Sequence, residues 1–192
     1  MSNNNLEIKE FFDKLAPTWD NGKRNYDIIE EILFSSPLKE GMSVLDIACG
    51  TGVIDNYLYS ISKREIDAID LSDEMIKIAK EKHIGSPVNY QTMDYYEYHH
   101  EPYDFLVVFD SFPHFLDVDR FVTKAYELLK DGGYLLIFHD LGRMSLKHTH
   151  RHVMNISRGL LPVEEEVKPF LTKFKIIETY EKDDRYVILL KK

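Results

Sequence analysis

The sequence has little of three things: it contains one cysteine, no long hydrophobic run, and fewer basic than acidic residues. A single cysteine, Cys49, excludes an internal disulfide framework. The longest apolar runs, 105–109 and 134–138, are far shorter than the ~20 residues that a membrane-spanning helix needs. A net charge of −9, from 24 Lys and Arg against 33 Asp and Glu, disfavours non-specific binding to nucleic acid or membranes, which requires a basic surface. We therefore expect neither a nucleic-acid nor a membrane partner.

The first residues also lack the basic stretch followed by an apolar stretch that marks a secretory signal peptide. The sequence shows no internal repeat and no low-complexity linker that would mark a domain boundary. Its 192 residues, 44% hydrophobic and 30% charged, have the composition of a globular domain and exclude a disordered chain. We expect one cytoplasmic domain over 1–192, and the sequence leaves its oligomeric state open.

Hydrophobic spacing predicts helices and strands in alternation. Predicted helices cover 8–15, 25–34, 53–62, 72–83, 118–130 and 163–171, and predicted strands cover 43–48, 65–70, 88–93, 104–110 and 134–140. Asp131-Gly132-Gly133 is expected to end its helix in a left-handed stop, and the last residues are expected to form a hairpin. The alternation predicts an α/β protein with a doubly wound, mostly parallel sheet. In such sheets ligands bind beyond the carboxyl ends of the strands.

The strongest motif is the glycine-rich turn VLDIACGTG, residues 44–52. Gly50 and Gly52 allow the backbone to pass close to a ligand, and the next helix offers free amide groups at its start. Asp46 lies near the end of a buried strand, where an unpaired charge is unfavourable, so we expect it to bind loop amides or a cationic ligand group. Asp70 ends the next strand, where a carboxylate can accept hydrogen bonds from both hydroxyls of a ribose.

The turn has two other interpretations besides a site for a ribose-containing ligand. The first is a plain strand-to-helix turn, which the combination of Asp46, the two glycines and Asp70 disfavours. The second is a nicotinamide or flavin dinucleotide site, whose G-x-G-x-x-G motif needs a third glycine for tight packing of helix on strand. Asp55 occupies that third position, and its carboxylate would repel a pyrophosphate.

On these residues the chain resembles the class I S-adenosylmethionine-dependent methyltransferases. VLDIACGTG resembles their first motif, AIDLSDEMIKIAKE (68–81) their second-strand segment, YDFLVVFDSFPHF (103–115) the fourth and LLKDGGYLLIFHD (128–140) the fifth. FFDKLAPTWD (11–20) is similar to the cap of members of the ubiquinone and menaquinone type, which places a helical cap over 1–36. The resemblance implies a Rossmann-like, seven-stranded sheet whose last strand is antiparallel between its neighbours. It does not specify a substrate.

The resemblance also implies a set of residues around S-adenosylmethionine, the expected cofactor. Asp70 would bind its ribose hydroxyls, Asp94 would lie by its adenine amino group, and Asp110 would lie below its sulfonium. The expected cofactor-binding residues are Trp19, Asp46, Ala48, Cys49, Gly50, Gly52, Asp70, Leu71, Met75, Asp94, Tyr95, Asp110, Ser111 and Phe112. Cys49 is expected to be a small packed residue and not a nucleophile, because no basic residue lies beside it in the sequence.

Half of the eight histidines lie in HDLGRMSLKHTHRH, residues 139–152. This segment begins at the end of the fifth predicted strand, so the insertion 140–161 is expected to line the site of a small-molecule acceptor. There an arginine would pair with a carboxylate or phosphate of the acceptor, and a histidine would act as general base. The expected catalytic residues are His139, His148 and Arg143, and the expected substrate-binding residues are Phe12, His114, His139, Asp140, Arg143, His148 and Arg151.

Other functions of this segment stay open. As a helix it would place His148 and His152 on one face, which suits a metal, but no Cys or Glu lies near to complete the ligands, so no metal is expected. A nucleic-acid patch is disfavoured by the acidic chain, and a solvated basic face is the plainest alternative. For the whole chain, the alternative to an enzyme is a protein that binds S-adenosylmethionine or a metal without methyl transfer.

Overall fold

The structure of the chain is a computed structural model, and it describes residues 3–145 and 155–192. The chain divides into two compact units, over residues 1–99 and 100–192. None of the helices within the described ranges is both long enough and apolar enough to span a membrane. That the whole chain acts as one domain stays a prediction.

The first unit alternates helices with parallel strands. Its helices are α1 (Asn3–Leu15), α2 (Tyr26–Ser35), α3 (Asp55–Ser62) and α4 (Asp73–Lys82), and its strands are β1 (Val44–Ile47), β2 (Ile66–Asp70) and β3 (Val88–Thr92). β2 pairs in parallel with both β1 and β3. Side chains cap two of these helices: Asn25 accepts the amide hydrogen of Ile28 in α2, and Ser72 accepts that of Met75 in α4. Because the strands are parallel, their carboxyl ends share one edge.

The second unit holds the remaining strands. Its elements are β4 (Tyr103–Phe109), α5 (Val118–Leu128), β5 (Leu129–His139), α6 (Val163–Glu166), β6 (Lys175–Glu181) and β7 (Tyr186–Lys191). β4 and β5 pair in parallel, whereas β7 is antiparallel to both β5 and β6. Phe105, Phe138 and Ile188, one from each of β4, β5 and β7, are fully buried, so this part of the sheet is core.

The seven strands form a sheet in the order β3-β2-β1-β4-β5-β7-β6. The predicted fold class is therefore confirmed: a Rossmann-like α/β sheet, mostly parallel, with an antiparallel strand from the C-terminal hairpin between its neighbours. The predicted helices and strands of the first unit also appear at their predicted places, with ends shifted by a few residues.

The predicted end of the helix over 118–130 is wrong. The helix stops at Leu128, because Leu129 is extended and already pairs with Tyr103 of β4. The register then shifts, and the next pair in the ladder is Tyr134 with Phe105, so 130–133 form a bulge. Asp131-Gly132-Gly133 therefore interrupts β5 and does not end the helix.

The helix predicted over 163–171 is also interrupted. α6 spans Val163–Glu166, and a 3-10 helix over Lys168–Phe170 follows it. Pro169 has no amide hydrogen to donate to the preceding turn, which explains why the α-helix does not continue.

Candidate active site

The glycine-rich turn follows β1 at the carboxyl edge of the first unit. Gly50 (φ +56°) and Gly52 (φ +79°) lie in the left-handed region, and so does Ala48 (φ +58°). That region costs a residue with a Cβ about 1–2 kcal/mol, so the turn holds strain at Ala48. A Cβ added to Gly52 would collide with the hydroxyl of Tyr90. Both the conformation and the surroundings therefore require glycine at position 52.

Asp70, the last residue of β2, fixes this turn from the neighbouring strand. Its Oδ2 accepts the amide hydrogen of Gly50 at 2.8 Å, and its Oδ1 accepts that of Ser72 at 2.8 Å. Burial raises the pKa of Asp70 to about 6, although these two hydrogen bonds oppose the rise. Asp70 thus joins the loops after β1 and β2, and its predicted role toward a ribose stays a prediction.

Asp46 and Cys49 lie beneath the turn. Asp46 is 1% exposed, and within the described ranges no group forms a hydrogen bond with its Oδ1. Burial, together with the negative charges of Asp55 and Asp70, raises the pKa of Asp46 well above its usual value. Burial also raises the pKa of the Cys49 thiol, which keeps the sulfur protonated and supports its prediction as a packed residue.

Three polar residues that the sequence analysis missed meet around Gly52. Asp55 in the first turn of α3 is fully buried, Tyr90 of β3 is 5% exposed, and His83 caps the C-terminus of α4. From a Cβ built on Gly52, Asp55 Oδ2 lies at 2.9 Å and His83 Nε2 at 3.0 Å, with the Tyr90 hydroxyl closer still. The only signal in the sequence was Asp55 itself, a carboxylate at the position where a dinucleotide-binding turn has its third glycine.

The helix α1 and a 3-10 helix over Ala16–Asn21 form a cap on all three loops of the first unit. Three side-chain hydrogen bonds connect them: Asn5 Nδ2 to Asp94 Oδ2 at 2.7 Å, Ser72 Oγ to Asp13 Oδ1 at 2.6 Å, and Thr51 Oγ1 to Asp20 Oδ1 at 2.7 Å. Their partners in the loops follow β3, β2 and β1 respectively. The cap therefore covers the edge at which the sequence predicted a ligand.

Aromatic residues of the cap lie beside the glycine turn. The indole Nε1 of Trp19 is 3.5 Å from a Cβ built on Gly50, and the sulfur of Met75 is 4.0 Å from the same point. The Phe12 ring packs edge-on against Trp19 at 5.7 Å, and the Arg24 guanidinium lies 5.2 Å from the Trp19 ring centroid. Trp19, Gly50 and Met75, all predicted to bind cofactor, are therefore together, and Phe12 lies with them.

The remaining predicted cofactor residues of the first unit occupy the loops after β2 and β3. Asp94 Oδ1 accepts the amide hydrogen of Tyr96 at 3.0 Å and begins a 3-10 helix over Tyr95–Glu97. Tyr95 is buried, and Leu71 is half-buried next to Asp70. Their places fit the predicted edge, and what they bind stays a prediction.

In the second unit, Asp110 directly after β4 faces His139 at the end of β5. Asp110 Oδ1 lies 3.2 Å from His139 Nδ1 and also accepts the amide hydrogen of Asp140 at 3.3 Å. Asp110 has φ +53°, which is unfavourable for a residue other than glycine. His139 is 0% exposed and packs edge-on against Tyr186. His139 is therefore fully enclosed in this structure, and its role as general base stays a prediction.

The loop after β4 contains Ser111, Phe112 and His114. Phe112 is fully buried, and Ser111 Oγ is buried with no hydrogen-bond partner in the part of the chain that the structure describes. His114 is half-buried, and its Nδ1 lies 2.8 Å from the carbonyl oxygen of Ile156. Because a carbonyl only accepts, Nδ1 carries the hydrogen in the neutral imidazole and the lone pair is on Nε2.

Arg143 pairs within the protein. Its Nε donates to Glu181 Oε1 of β6 at 2.8 Å, and Glu181 Oε2 accepts the amide hydrogen of Val163 at the start of α6. This ion pair uses the Nε of Arg143, and the predicted role of Arg143 toward an anionic acceptor stays a prediction. His148 and Arg151, predicted as general base and anion ligand, lie outside the described residues.

Arg158, near the end of the insertion, is another residue that the sequence analysis missed. Its Nε donates to the Phe115 carbonyl at 3.2 Å, its guanidinium lies 4.7 Å from the Phe112 ring centroid, and its Nη2 lies 2.8 Å from Glu166 Oε1. Glu166 is 2% exposed and also accepts the amide hydrogen of Leu161 at 2.9 Å. Arg158 therefore fastens this end of the insertion to the loop after β4, which no local sequence pattern indicated.

Over residues 3–145 and 155–192, no group of three or more His, Cys, Asp and Glu side chains is arranged to hold a metal ion. The dense histidines of the segment, 148, 150 and 152, lie outside those ranges.

A doubly wound sheet with an antiparallel β7, a glycine turn after β1 and a carboxylate at the end of β2 define the class I methyltransferase fold. The chain belongs to the methyltransferase-domain family, whose model matches residues 21–170. The cofactor of this family is S-adenosylmethionine, so the resemblance seen in the sequence is confirmed at the level of the superfamily. The finer likeness to the quinone type stays a prediction.

Three known proteins illustrate the similarity. The malonyl-(acyl-carrier protein) O-methyltransferase of Acetivibrio thermocellus is 29% identical over 133 residues, which are 68% of this chain and 46% of that protein. An S-adenosylmethionine-dependent methyltransferase of Mesorhizobium loti shares the fold, with a TM-score of 0.72 and 12% identity over 90% of this chain and 99% of the other. Phosphoethanolamine N-methyltransferase 2 of Haemonchus contortus, solved with phosphomonomethylethanolamine and S-adenosylhomocysteine, also shares the fold. Its TM-score is 0.70 and its identity is 24%, over 90% of this chain and 45% of the other. The chain spans about half the length of the curated relatives it matches.

Proposed function

We propose that this chain transfers the methyl group of S-adenosylmethionine to a small-molecule acceptor by direct in-line displacement. Membership of the methyltransferase-domain family supports the reaction class. The observation that carries the proposal is the glycine turn whose Gly50 amide is held by Asp70 at 2.8 Å, at the edge where doubly wound sheets bind ligands. Among the relatives, one is named for phosphoethanolamine, a small molecule, and another for a malonyl group on acyl-carrier protein.

The residues of the first unit fit this cofactor chemically. Asp70 and Asp94 are carboxylates that accept hydrogen bonds from hydroxyl and amino groups, and Trp19 and Met75 supply an aromatic face and a thioether beside the turn. Gly50 and Gly52 allow the close backbone approach that a bound nucleoside and amino acid require. We assign Ala48, Cys49, Leu71 and Tyr95 to the same site, and Asp110, Ser111 and Phe112 of the second unit to the sulfonium.

When bound, S-adenosylmethionine supplies an electrophilic methyl group, so the protein has to orient an acceptor, exclude water and remove a proton from an O–H or N–H acceptor. We assign the removal of the acceptor's proton to His114, which lies in the loop after β4 with its Nδ1 2.8 Å from the carbonyl oxygen of Ile156. His139, buried against Asp110, is assigned to hold the loop after β4. Asp140 and Arg143 position the start of the insertion, whereas Phe12, His148 and Arg151 remain proposed acceptor contacts.

The test has two stages. Purified protein is first titrated with S-adenosylhomocysteine in a calorimeter, and then incubated with methyl-labelled S-adenosylmethionine and a metabolite extract, with mass spectrometry to identify the labelled product. We expect binding and one labelled small molecule, and no label with Gly52→Ala. Binding without labelled product over a broad acceptor panel would support a binding protein instead, and an absence of binding would refute the proposal.

Once an acceptor is known, single variants separate the roles of the histidines. We expect His114→Ala to lower kcat by 10²–10⁴-fold, the range of general acid–base catalysis, while the affinity for S-adenosylhomocysteine is kept. His139→Ala and Arg143→Ala should lower turnover with a smaller effect. His99→Ala, which removes an exposed histidine of the first unit, is the matched control.

A further inference from the structure

Asp46 and Asp55 are two buried carboxyl groups near the glycine-rich turn, in surroundings that disfavour two negative charges. Asp46 is 1% exposed and Asp55 is 0% exposed. Among the residues that the structure describes, no donor makes a hydrogen bond of good geometry with Asp46 Oδ1 or with either oxygen of Asp55, although the Tyr90 hydroxyl is close enough to lower the pKa of Asp55. A buried carboxylate without a donor or a cation is strongly unfavourable, and two side by side are more so.

The positive charges near the pair offset its burial only in part: His83 and Lys82 lower the pKa of Asp55, yet burial raises it overall. The titratable and charged groups that face it are Asp70 from β2, Cys49 from the turn, Lys82 and His83 from the end of α4, and Tyr90 from β3. Lys82 is half-exposed and already pairs with Asp20 at 2.8 Å. His83 Nδ1 lies 3.5 Å from the Asn56 amide nitrogen, and its Nε2 lies 3.0 Å from a Cβ built on Gly52, the point that is 2.9 Å from Asp55 Oδ2.

We propose that Asp46 and Asp55 hold one proton between them, and that Asp55 is a positioning residue for the glycine-rich turn. A protonated carboxyl group is the one donor that the pair is able to supply for itself, as in other close carboxyl pairs. Burial raises the pKa of both carboxyl groups, which agrees with a proton held between them. Burial also raises the pKa of the Tyr90 hydroxyl, which therefore stays a neutral donor.

The pair acts on the turn through Gly52. Asp55 Oδ2 lies 2.9 Å from the point where Gly52 would carry a Cβ, and Asp46 precedes the turn on β1. If the shared proton leaves, the two carboxylates repel and draw in water at this point. The turn and its hydrogen bond to Asp70 then lose their support. The effect on cofactor binding rests on the proposed function, whereas the shared proton itself does not.

The first test measures stability without any ligand. A shared proton has a pKa in the folded state above the ordinary Asp value, so the folded chain binds more protons than the unfolded chain and stability falls as pH rises. Urea unfolding is measured from about pH 5, one unit above the ordinary pKa of Asp, to pH 9. Asp55→Asn replaces the shared proton by a permanent N–H donor. Compared with this variant, the wild-type folding constant should fall up to about tenfold per pH unit until the pair has ionised.

Asp119→Asn is the matched control, because Asp119 is an exposed carboxyl group in the first turn of α5, as Asp55 is in α3. It should leave the wild-type profile unchanged. If Asp55→Asn also follows the wild-type profile, the proposal is wrong. Should that variant not fold, carboxyl carbon NMR of the wild type decides: one protonated carboxyl group in the pair at pH 7 supports the proposal, and two ionised groups overturn it.

The second test measures the dissociation constant of S-adenosylhomocysteine at pH 7 and pH 9. We expect the dissociation constant at pH 9, divided by that at pH 7, to be well above one in the wild type and in Asp119→Asn. In Asp55→Asn this ratio should approach one. Equal ratios in wild type and Asp55→Asn would remove the positioning role. A wild type that binds no S-adenosylhomocysteine at either pH, together with a steep stability profile, would refute the proposed function and leave the shared proton standing.

Discussion

Asp70 Oδ2 accepts the amide hydrogen of Gly50 at 2.8 Å, although the two residues stand twenty positions apart in the sequence. The carboxylate at the end of β2 thus holds the turn that follows β1, and its other oxygen holds Ser72 at the start of the next helix. The same residue is the one expected to meet a ribose. Its protonation state is therefore tied both to the stability of the empty protein and to the binding of a cofactor.

The two effects of Asp70 should run in opposite directions with pH. Burial raises its pKa from 3.8 to about 6, so it contributes stability that is complete below 3.8 and is lost as pH rises through about 6, an effect on the order of 3 kcal/mol. Ionised Asp70 is the better acceptor for hydroxyl groups, so the affinity for S-adenosylhomocysteine should rise several-fold from pH 5 to pH 7. Urea unfolding and calorimetry over this range check both slopes, and Asp70→Asn should flatten both. If stability and the affinity for S-adenosylhomocysteine change in the same direction with pH, the double role of Asp70 is wrong.

Gly52→Ala should be far more damaging than its backbone conformation alone explains. The added methyl group meets the Tyr90 hydroxyl and the Asp55 carboxyl group in addition to a left-handed φ. We expect a loss of about 2–4 kcal/mol in the free energy of unfolding. Gly85→Ala is the control: Gly85 has the same φ of +79° with no atom within 4 Å of its added Cβ, so it should lose only about 1 kcal/mol. Equal losses would mean that the surroundings of Gly52 are not restrictive.

Arg158→Ala should leave Glu166 buried without its cation. Removing one partner of a buried ion pair costs about 3–5 kcal/mol, and since Arg158 is partly exposed we expect about 3 kcal/mol in urea unfolding. The exposed pair of Lys168 with Glu165 provides the comparison, because Lys168→Ala should cost under about 1 kcal/mol. Similar losses in the two variants would show that Arg158 does not fasten the insertion.

Asp13→Ala should loosen the cap. Asp13 accepts hydrogen bonds from Ser72 Oγ at 2.6 Å and from Lys9 at 2.6 Å, and the loss of charge-assisted bonds of this kind costs about 1.5–3 kcal/mol. Hydrogen exchange in α1 should then become about tenfold faster, because the helix opens locally without unfolding the sheet. Glu10→Ala removes an exposed carboxylate from the same helix and should change nothing. Unaltered exchange in Asp13→Ala would show that other contacts hold the cap.

Much of the fold was predictable because its signals are local. Buried parallel strands appear as short apolar runs, and Asn25 and Ser72 begin their helices as capping residues do. The end of α5 was not predictable from Asp131-Gly132-Gly133, since glycines suit both a helix end and a strand bulge. The pairing of Leu129 with Tyr103 decides between the two, and strand pairing is a long-range contact.

In the candidate site, too, some residues were predictable from the sequence and others were not. The glycine turn, Asp46 and Asp70 were visible in the sequence, because the ends of successive parallel strands meet at one edge whatever the details of packing. Arg143, predicted to hold an acceptor, is paired with Glu181 from a strand 38 residues later. Which anionic group an arginine pairs with depends on distances in the folded protein, and these distances cannot be derived from the sequence.

By itself the sequence determined the superfamily, the order of strands and helices, and the loops that carry the cofactor motifs. It did so because periodicity, glycine and capping residues act within a few positions of one another. Only the tertiary structure decided that His139 is buried, that His114 Nδ1 lies 2.8 Å from the carbonyl oxygen of Ile156, and that Asp55, His83 and Tyr90 meet around Gly52. Burial and hydrogen-bond partners are set by residues distant in the chain, and they fix where a proton resides.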